Sequence, residues 1–323
     1  MIIVERDQVF ALLPMRDCIA QMSLALVEFS RGNVQSPNRK KHKFGADNGT
    51  LFVMPASSEN LGVYGAKLIT QHPENPRYGL PAIQGHLALF DYESGAAIGL
   101  VESSAITYLR TAATSALATR ELARETAATH GVFGAGAQAL AHLEAMSCVR
   151  DIRETRVWAR NINKAQSLVD KHQNKTISKL VAVTSAKEVA NSDIVSCTTA
   201  ATKPIIFGEW LNPGTHVNLI GSHSADAREC DSELVRHSTV FVDSRKAASK
   251  EAGDLIIPHL EGVAPEADSY DELGELISGT VKGRTSSRET TLFKSVGIAA
   301  MDLFAAKLVV DRARVEESHP RRV

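Results

Sequence analysis

From Pro14 onward, Met15, Ile19, Met22, Leu26 and Phe29 recur at spacings of 4, 3, 4 and 3. That period draws one apolar stripe along a helix. Pro14 can open it, since its missing N–H costs nothing at a helix start, and Gly32 ends it. Such a stripe is core-facing rather than a cofactor box. Runs of strand character follow: TLFVMP at 50–55, VYGAKLITQH at 63–72, GHLALFDY at 85–92 and AAIGLVE at 96–102. Their connectors hold Gly, Pro, Asn and Ser, as turns require. The first hundred residues thus read as one helix followed by strands. Strands with no helix between them predict an antiparallel or mixed sheet.

The pattern changes near residue 103. SSAITYLRTAATSALATRELA predicts a helix with Ser at its N-cap, and Arg124 reads as an exposed helix-end residue. Beyond it, strand-like runs at 130–134, 155–159, 180–184, 193–199, 216–221 and 239–244 alternate with helical ones. The helices fall at 136–147, 163–172, 186–191, 230–236 and 246–252. That alternation predicts an α/β chain with a doubly wound parallel sheet of Rossmann type. Gly/Thr/Ser-rich coil then leads into a long helix expected over 295–317.

One loop carries chemistry. In HGVFGAGAQALAHLEAM, Gly134-x-Gly136-x-x-Ala139 follows an apolar strand and opens a helix. The first Gly permits the tight turn, the second lets the backbone approach a pyrophosphate, and the small third residue allows close helix–strand packing. The helix N-terminus adds free N–H groups and the positive end of a dipole. At the end of the next strand an NAD binder usually places Asp or Glu for the ribose 2′-hydroxyl. This chain reads VWARN, with Arg160 and Asn161 there and Lys164 one turn on. A guanidinium pairs with a 2′-phosphate where a carboxylate would repel it, so NADP(H) is expected over NAD(H).

Composition narrows the classes. The 323 residues are 44% hydrophobic and 23% charged, ordinary for a globular chain of about two domains. Lys+Arg 36 against Asp+Glu 37 gives net −1, which points away from nucleic acid and anionic membranes. The four cysteines are scattered without a Cys-x-x-Cys pair, so no metal site is expected and a reducing, cytoplasmic setting is. No signal peptide is visible and no run reaches 18 apolar residues. The chain carries no Gly-x-Ser-x-Gly elbow, no His-Glu-x-x-His and no G-x-x-x-x-G-K-[ST] loop.

RTAATSALATRELA, VFGAGAQA and KPIIFGEWLNPGTHVNLIGS, followed by DARECDSEL, VDSRKAASKEAGD and TLFKSVGIA, resemble the ornithine cyclodeaminase/mu-crystallin family. The resemblance runs through nearly the whole chain in order. It implies a Rossmann domain, 113–295, inserted into a discontinuous α+β substrate and dimerisation domain, 1–112 with 296–323. A homodimer would form through the latter. It also implies an α-carboxylate site, matched here by Arg39, Lys67 and Arg110, with Gln84 near the substrate. Where some members carry His just before that glutamine, this chain has Ile83. The expected cofactor set is Thr111, Gly134, Ala135, Gly136, Gln138, Arg160, Asn161, Lys164, Thr198 and Gly221. Arg supplies a bidentate fork for a carboxylate, and Lys67 sits inside an apolar strand pattern where an unpaired charge is costly.

One departure is informative. Ornithine cyclodeaminases run from this strand into Gly-Gly-Asp, and that Asp works on the substrate amine. This chain reads Gly221-Ser222-His223, with Asp226 three residues on, matching an Asp of reductase-like members. The missing carboxylate lowers the cyclodeaminase reading and favours hydride transfer to an imine. The expected activity is therefore reduction of Δ1-pyrroline-2-carboxylate or Δ1-piperideine-2-carboxylate to L-proline or L-pipecolate. Lys67 and Arg110 would act at the substrate, and His223 would donate the proton. The competing expectations are an ornithine or lysine cyclodeaminase, an alanine dehydrogenase, and a non-enzymatic NADPH- or hormone-binding protein.

Overall fold

The computed structural model describes residues 1–45 and 49–318 of the chain. Along it run β1 (Ile2–Val4), α1 (Arg6–Leu12), α2 (Met15–Ser30), β2 (Lys40–Phe44), β3 (Gly49–Ser58), β4 (Val63–Gln71), β5 (Ile83–Asp91), β6 (Ala97–Glu102) and α3 (Ser103–Leu122). Next come β7 (Thr129–Phe133), α4 (Ala137–Ser147), β8 (Glu154–Trp158), α5 (Ile162–His172), β9 (Lys179–Ala182), α6 (Ala186–Ala190), β10 (Ile194–Cys197) and β11 (His216–Leu219). The chain closes with α7 (Ser232–Arg236), β12 (Ser238–Val242), α8 (Arg245–Glu251), α9 (Gly253–Leu260), β13 (Asp271–Glu272), α10 (Leu273–Ile277), β14 (Thr290–Lys294) and α11 (Ala299–Ser318). It divides into two compact units, Met1–Arg110 with Ile298–Val323, and Thr111–Gly297.

The first unit holds a six-stranded sheet in the order β1-β6-β5-β4-β3-β2. Only the β1–β6 pair is parallel, so the sheet is mixed, as strands without intervening helices predict. α2 buries Met15, Ile19, Met22 and Leu26 of the stripe visible in the sequence, with Cys18 and Ala25 beside them, while Phe29 is half-buried. α11 is buried on every side over Ala299–Ala306 and packs on α2 and the sheet, so its first half is a core helix. β4 alternates in burial from Val63 to Leu68, which turns Lys67 to the same face as Val63 and Gly65.

The second unit holds eight parallel strands in the order β13-β12-β14-β11-β10-β7-β8-β9. The order reverses at β7/β10, the switch point beside which doubly wound sheets bind ligands. Val132, Ala139, Val157, Ala165, Leu168, Val169 and Leu180 pack as one cluster, seating α4 and α5 on β7–β9.

Several elements differ from the sequence expectation. β1, α1 and β2 precede or join the expected strands; each is too short for its period to show, and α1 is marked only by a Glu5–Gln8 capping box. Residues 290–294 form β14 where coil was expected. The last helix starts at Ala299, not 295, because Ser295 Oγ, Val296 N and Gly297 N all donate to Asp243 Oδ2 and Gly297 has φ +82°. Arg124 is neither helical nor exposed: it lies in the loop after α3, partly buried, and pairs with Asp193.

Three histidines of the second unit are buried. His130 Nε2 lies 3.0 Å from Ser196 Oγ, His142 Nδ1 donates to Gln138 O at 2.7 Å, and His216 Nδ1 lies 3.0 Å from Thr291 Oγ1. Burial pushes their pKa values down to about 3, about 4 and about 3. Each is neutral when folded and takes a proton once unfolded below the ordinary value near 6.5. Their stabilisation is therefore complete above that value and is lost as pH falls toward the folded values. Both tryptophans, Trp158 and Trp210, lie in this unit, so their emission reports its unfolding. Denaturation should show stability dropping by about 4 kcal/mol per pH unit between roughly pH 6 and 4.5, from three protons at about 1.4 each. A flat free energy across that window would contradict these burial assignments.

Candidate active site

Lys67 is 1% exposed at the centre of β4, paired across the sheet with Met54 and Leu87. Its Nζ lies 2.6 Å from Asp302 Oδ2 and donates to Thr107 Oγ1 at 3.4 Å. Thr107 and Arg110 sit three residues apart on α3, which puts them on one face. Arg110, 7% exposed, donates from Nε to Asp302 Oδ1 at 3.2 Å. Asp302 has no exposed surface and stands in the first turn of α11, where the helix dipole favours a negative charge. One buried carboxylate is thus held from both sides by two cations.

The electrostatics follow from that geometry. Burial pushes the Asp302 carboxyl up, and Lys67 and Arg110 more than reverse this, leaving it below the ordinary carboxylate range. Burial also drives the Lys67 ammonium down. Asp302 pulls it back up, Arg110 and Arg39 oppose Asp302, and the pKa settles at about 8. Arg39 is half-buried on the segment leading into β2, and its charge reaches Lys67. Three cations, Lys67, Arg110 and Arg39, thus act on one another around the Asp302 carboxylate, a grouping suited to an anionic ligand. Arg39, Lys67 and Arg110, expected from sequence, belong to this one set. Gln84 does not: it pairs with Thr70 on β4, on the sheet face opposite Lys67, and donates to Pro81 O. Asp302 was missed, although a lone carboxylate inside AAMDLFAAKLVV is a legible signal.

In the second unit the dinucleotide loop has the geometry its sequence predicts. Gly134 has φ +114°, and a Cβ there would meet Thr198 Oγ1 at 2.6 Å. Thr198 directly follows β10 and donates from both N and Oγ1 to Phe133 O at 2.9 Å, which explains its place beside the loop. Gly136 caps α4 without a side chain, and a Cβ there meets nothing within 4 Å. That is an open cradle at a helix N-terminus, fit for a pyrophosphate. Ala135 and Gln138 flank it, and Thr111 lies on α3, partly buried. Arg160 is exposed after β8, Asn161 caps α5 by accepting from Asn163 N at 3.0 Å, and Lys164 is exposed one turn on. A cavity of about 420 Å³ is lined by Ala135, Gly136 and Ala137 together with Lys164, Lys171 and His172. Gly221 and exposed His223 follow β11, and Asp226 accepts from Ser224 Oγ nearby. Among the described residues no group of His, Cys, Asp and Glu is placed to hold a metal. None of their helices is singly long and apolar enough to cross a membrane.

The family model for the ornithine cyclodeaminase/mu-crystallin family matches residues 1–317. A Δ1-pyrroline-2-carboxylate reductase of Bacillus cereus is 37% identical over 315 residues, 97% of each chain. A solved Δ1-pyrroline-2-carboxylate reductase of Thermococcus litoralis, in complex with NADH and L-proline, superposes with TM-score 0.93 at 36% identity over 100% of both chains. An archaeal alanine dehydrogenase dimer with bound NAD gives TM-score 0.92 at 30% identity, over 98% of this chain and 97% of that one. Sequence, fold and the cation set suited to a carboxylate agree, and the chain belongs to the ornithine cyclodeaminase/mu-crystallin family.

Proposed function

We propose that this protein is a nicotinamide-dependent reductase of a small cyclic imino acid, converting Δ1-pyrroline-2-carboxylate or Δ1-piperideine-2-carboxylate to L-proline or L-pipecolate. The observation that carries the reading is the charge balance around Lys67, where Arg110 and Arg39 work against Asp302 and hold the ammonium pKa at about 8. A substrate carboxylate completes that balance, and Arg offers it a fork. Likeness to reductases of this substrate class supports the choice. When bound, the dinucleotide supplies the hydride equivalent for the ring carbon of the C=N bond. The Gly134–Gly136 loop and the N-terminus of α4 take its pyrophosphate. Asp302 orients Lys67 and Arg110 so that they hold the carboxylate. His223 gives the ring nitrogen its proton, which an imine needs to accept hydride readily.

The Thermococcus relative is described with NADH. For this chain we assign a preference for NADPH, resting on Arg160 and on the basic rim of Lys164, Lys171 and His172 beside the Gly loop. We also assign a homodimer. The open face of the six-stranded sheet carries Tyr64 and Leu68, 37% and 44% exposed, with Phe90 stacked on Tyr64 at 5.4 Å. A second copy would cover that face; the archaeal alanine dehydrogenase relative is itself a dimer. Light scattering reads the mass directly. The cytoplasm is the assigned compartment, since none of the four cysteines is joined in a disulfide.

A spectrophotometric assay over five- and six-membered ketimine acids, with NADPH and NADH, tests the function. Net dinucleotide oxidation is expected. Ammonia release from ornithine without net redox would establish a lyase instead, and dinucleotide binding without turnover a binding protein.

Lys67 must be protonated to hold a carboxylate, so kcat/KM should fall as pH rises past about 8. Asp302→Asn removes the charge that raises Lys67, so the alkaline limb should move to lower pH, with a stability loss on the order of 3–5 kcal/mol from unbalanced buried cations. An unmoved limb would separate Asp302 from Lys67. Arg160→Ala should erode an NADPH preference of roughly ten- to a hundredfold, mainly through cofactor binding, and equal use of both dinucleotides by the parent would refute it. His223→Ala should lower turnover about a hundredfold while NADPH affinity holds. Near-normal turnover with an unchanged pH profile would remove His223 from its role.

A further inference from the structure

The second unit buries a separate set of charges that the proposed reaction does not use. Glu229, Asp254 and Lys294 have no exposed surface. Lys294 ends β14 opposite Leu219 of β11. Its Nζ lies 2.7 Å from Asp254 Oδ2 and donates to Ser222 O at 2.6 Å. Asp254 Oδ1 accepts from the backbone of Glu229 at 2.6 Å and of Cys230 at 3.2 Å. The Glu229 carboxylate then divides its oxygens. Oε1 accepts from Thr199 N at 2.9 Å and Thr199 Oγ1 at 2.7 Å, and Oε2 accepts from Gly221 N at 2.8 Å. A Cβ on Gly221 would meet Thr199 O at 2.0 Å and Glu229 Oε1 at 2.5 Å, so only glycine permits this approach.

Three donors from two chain segments therefore end on one carboxylate. The paired register of β10 and β11 stops at Cys197 and Leu219. Thr199 and Gly221 lie beyond it, at the carboxyl ends of the strands, where open α/β sheets bind their ligands. Sheet pairing does not fix these residues to each other; Glu229 does. Lys294 and Asp254 hold the other side, anchoring Ser222 and the backbone of Glu229.

We propose that Glu229 is a positioning residue for the nicotinamide end of the dinucleotide, acting through Thr198–Thr199 and Gly221–His223, with Lys294 and Asp254 as its buried support. The inference rests on the proposed function, because it presumes that a dinucleotide lies over these strand ends. Glu229 has no exposed surface through which it could itself touch dinucleotide or substrate.

Glu229→Gln keeps length and shape but turns one acceptor oxygen into an NH2 group that confronts a donor. Calorimetric titration with NADPH, and with 2′-phospho-ADP-ribose, which lacks the nicotinamide ring, separates positioning from general damage. NADPH affinity should weaken by roughly tenfold while the ringless compound stays within about twofold, and kcat should fall more than the imine KM rises. Equal weakening of both compounds, or of neither, overturns the proposal. Should Glu229→Gln fail to fold, Thr199→Val removes one of the three donors and leaves the carboxylate; a selective loss of about fivefold is then expected. A loss shared by both compounds, or none, overturns the proposal there too. Failure of the functional reading shows earlier, as a parent chain that binds no dinucleotide, and takes this inference with it.

Discussion

The first unit is organised around one buried carboxylate. Asp302 faces Lys67 as an ion pair with one oxygen and accepts from Arg110 on the other, joining a strand of the sheet, the helix that leaves it and the helix that returns to it from the far end of the chain. Removing any member leaves a charge with no water to solvate it, which costs far more than an exposed pair. The pair is also graded rather than saturated. Asp302 recovers only part of what burial takes from Lys67, because Arg110 and Arg39 work against it. A lysine in that state stays cationic at neutral pH and gains from any further anion nearby.

Much of this was legible in the residues because the elements are long or chemically marked. The stripe of α2, the strands β3 to β6 and the βα alternation after residue 129 all declare themselves by period. Gly134 and Gly136 declare the cradle because no other residue tolerates φ +114° against Thr198 while leaving the helix start open. Lys67 is marked by its setting, a cation among Val63, Gly65 and Ile69 on an inward face.

What stayed hidden depends on partners distant in sequence. Asp302 meets Arg110 across 192 residues, so no local pattern announces the pair. β14 is five residues long and runs into the approach to α11, so its period cannot be told from helix; Asp243, more than fifty residues earlier, holds the boundary. Arg124 looks like a free surface charge until Asp193 is folded against it. Gln84 matched a family position, yet strand parity turns it away from the face of Lys67. Two-residue periodicity leaves no choice in that once the register is set.

Burial of charge does not by itself mark a reactive site, and the two units show why. Around Lys67, Arg110 and Arg39 oppose the support that Asp302 gives the ammonium, so a further anion there would be stabilised. Around Lys294 the carboxylates outnumber the cation, and the surplus acceptors are spent on the chain's own N–H and O–H groups at Thr199, Gly221, Glu229 and Cys230. Such a set is closed: its hydrogen bonds end on the chain's own backbone and on the Thr199 hydroxyl, and its work is to hold that backbone still. The sign of the imbalance, and whether the spare valence points to protein or away from it, separates a group that binds substrate from one that sets the shape of the site.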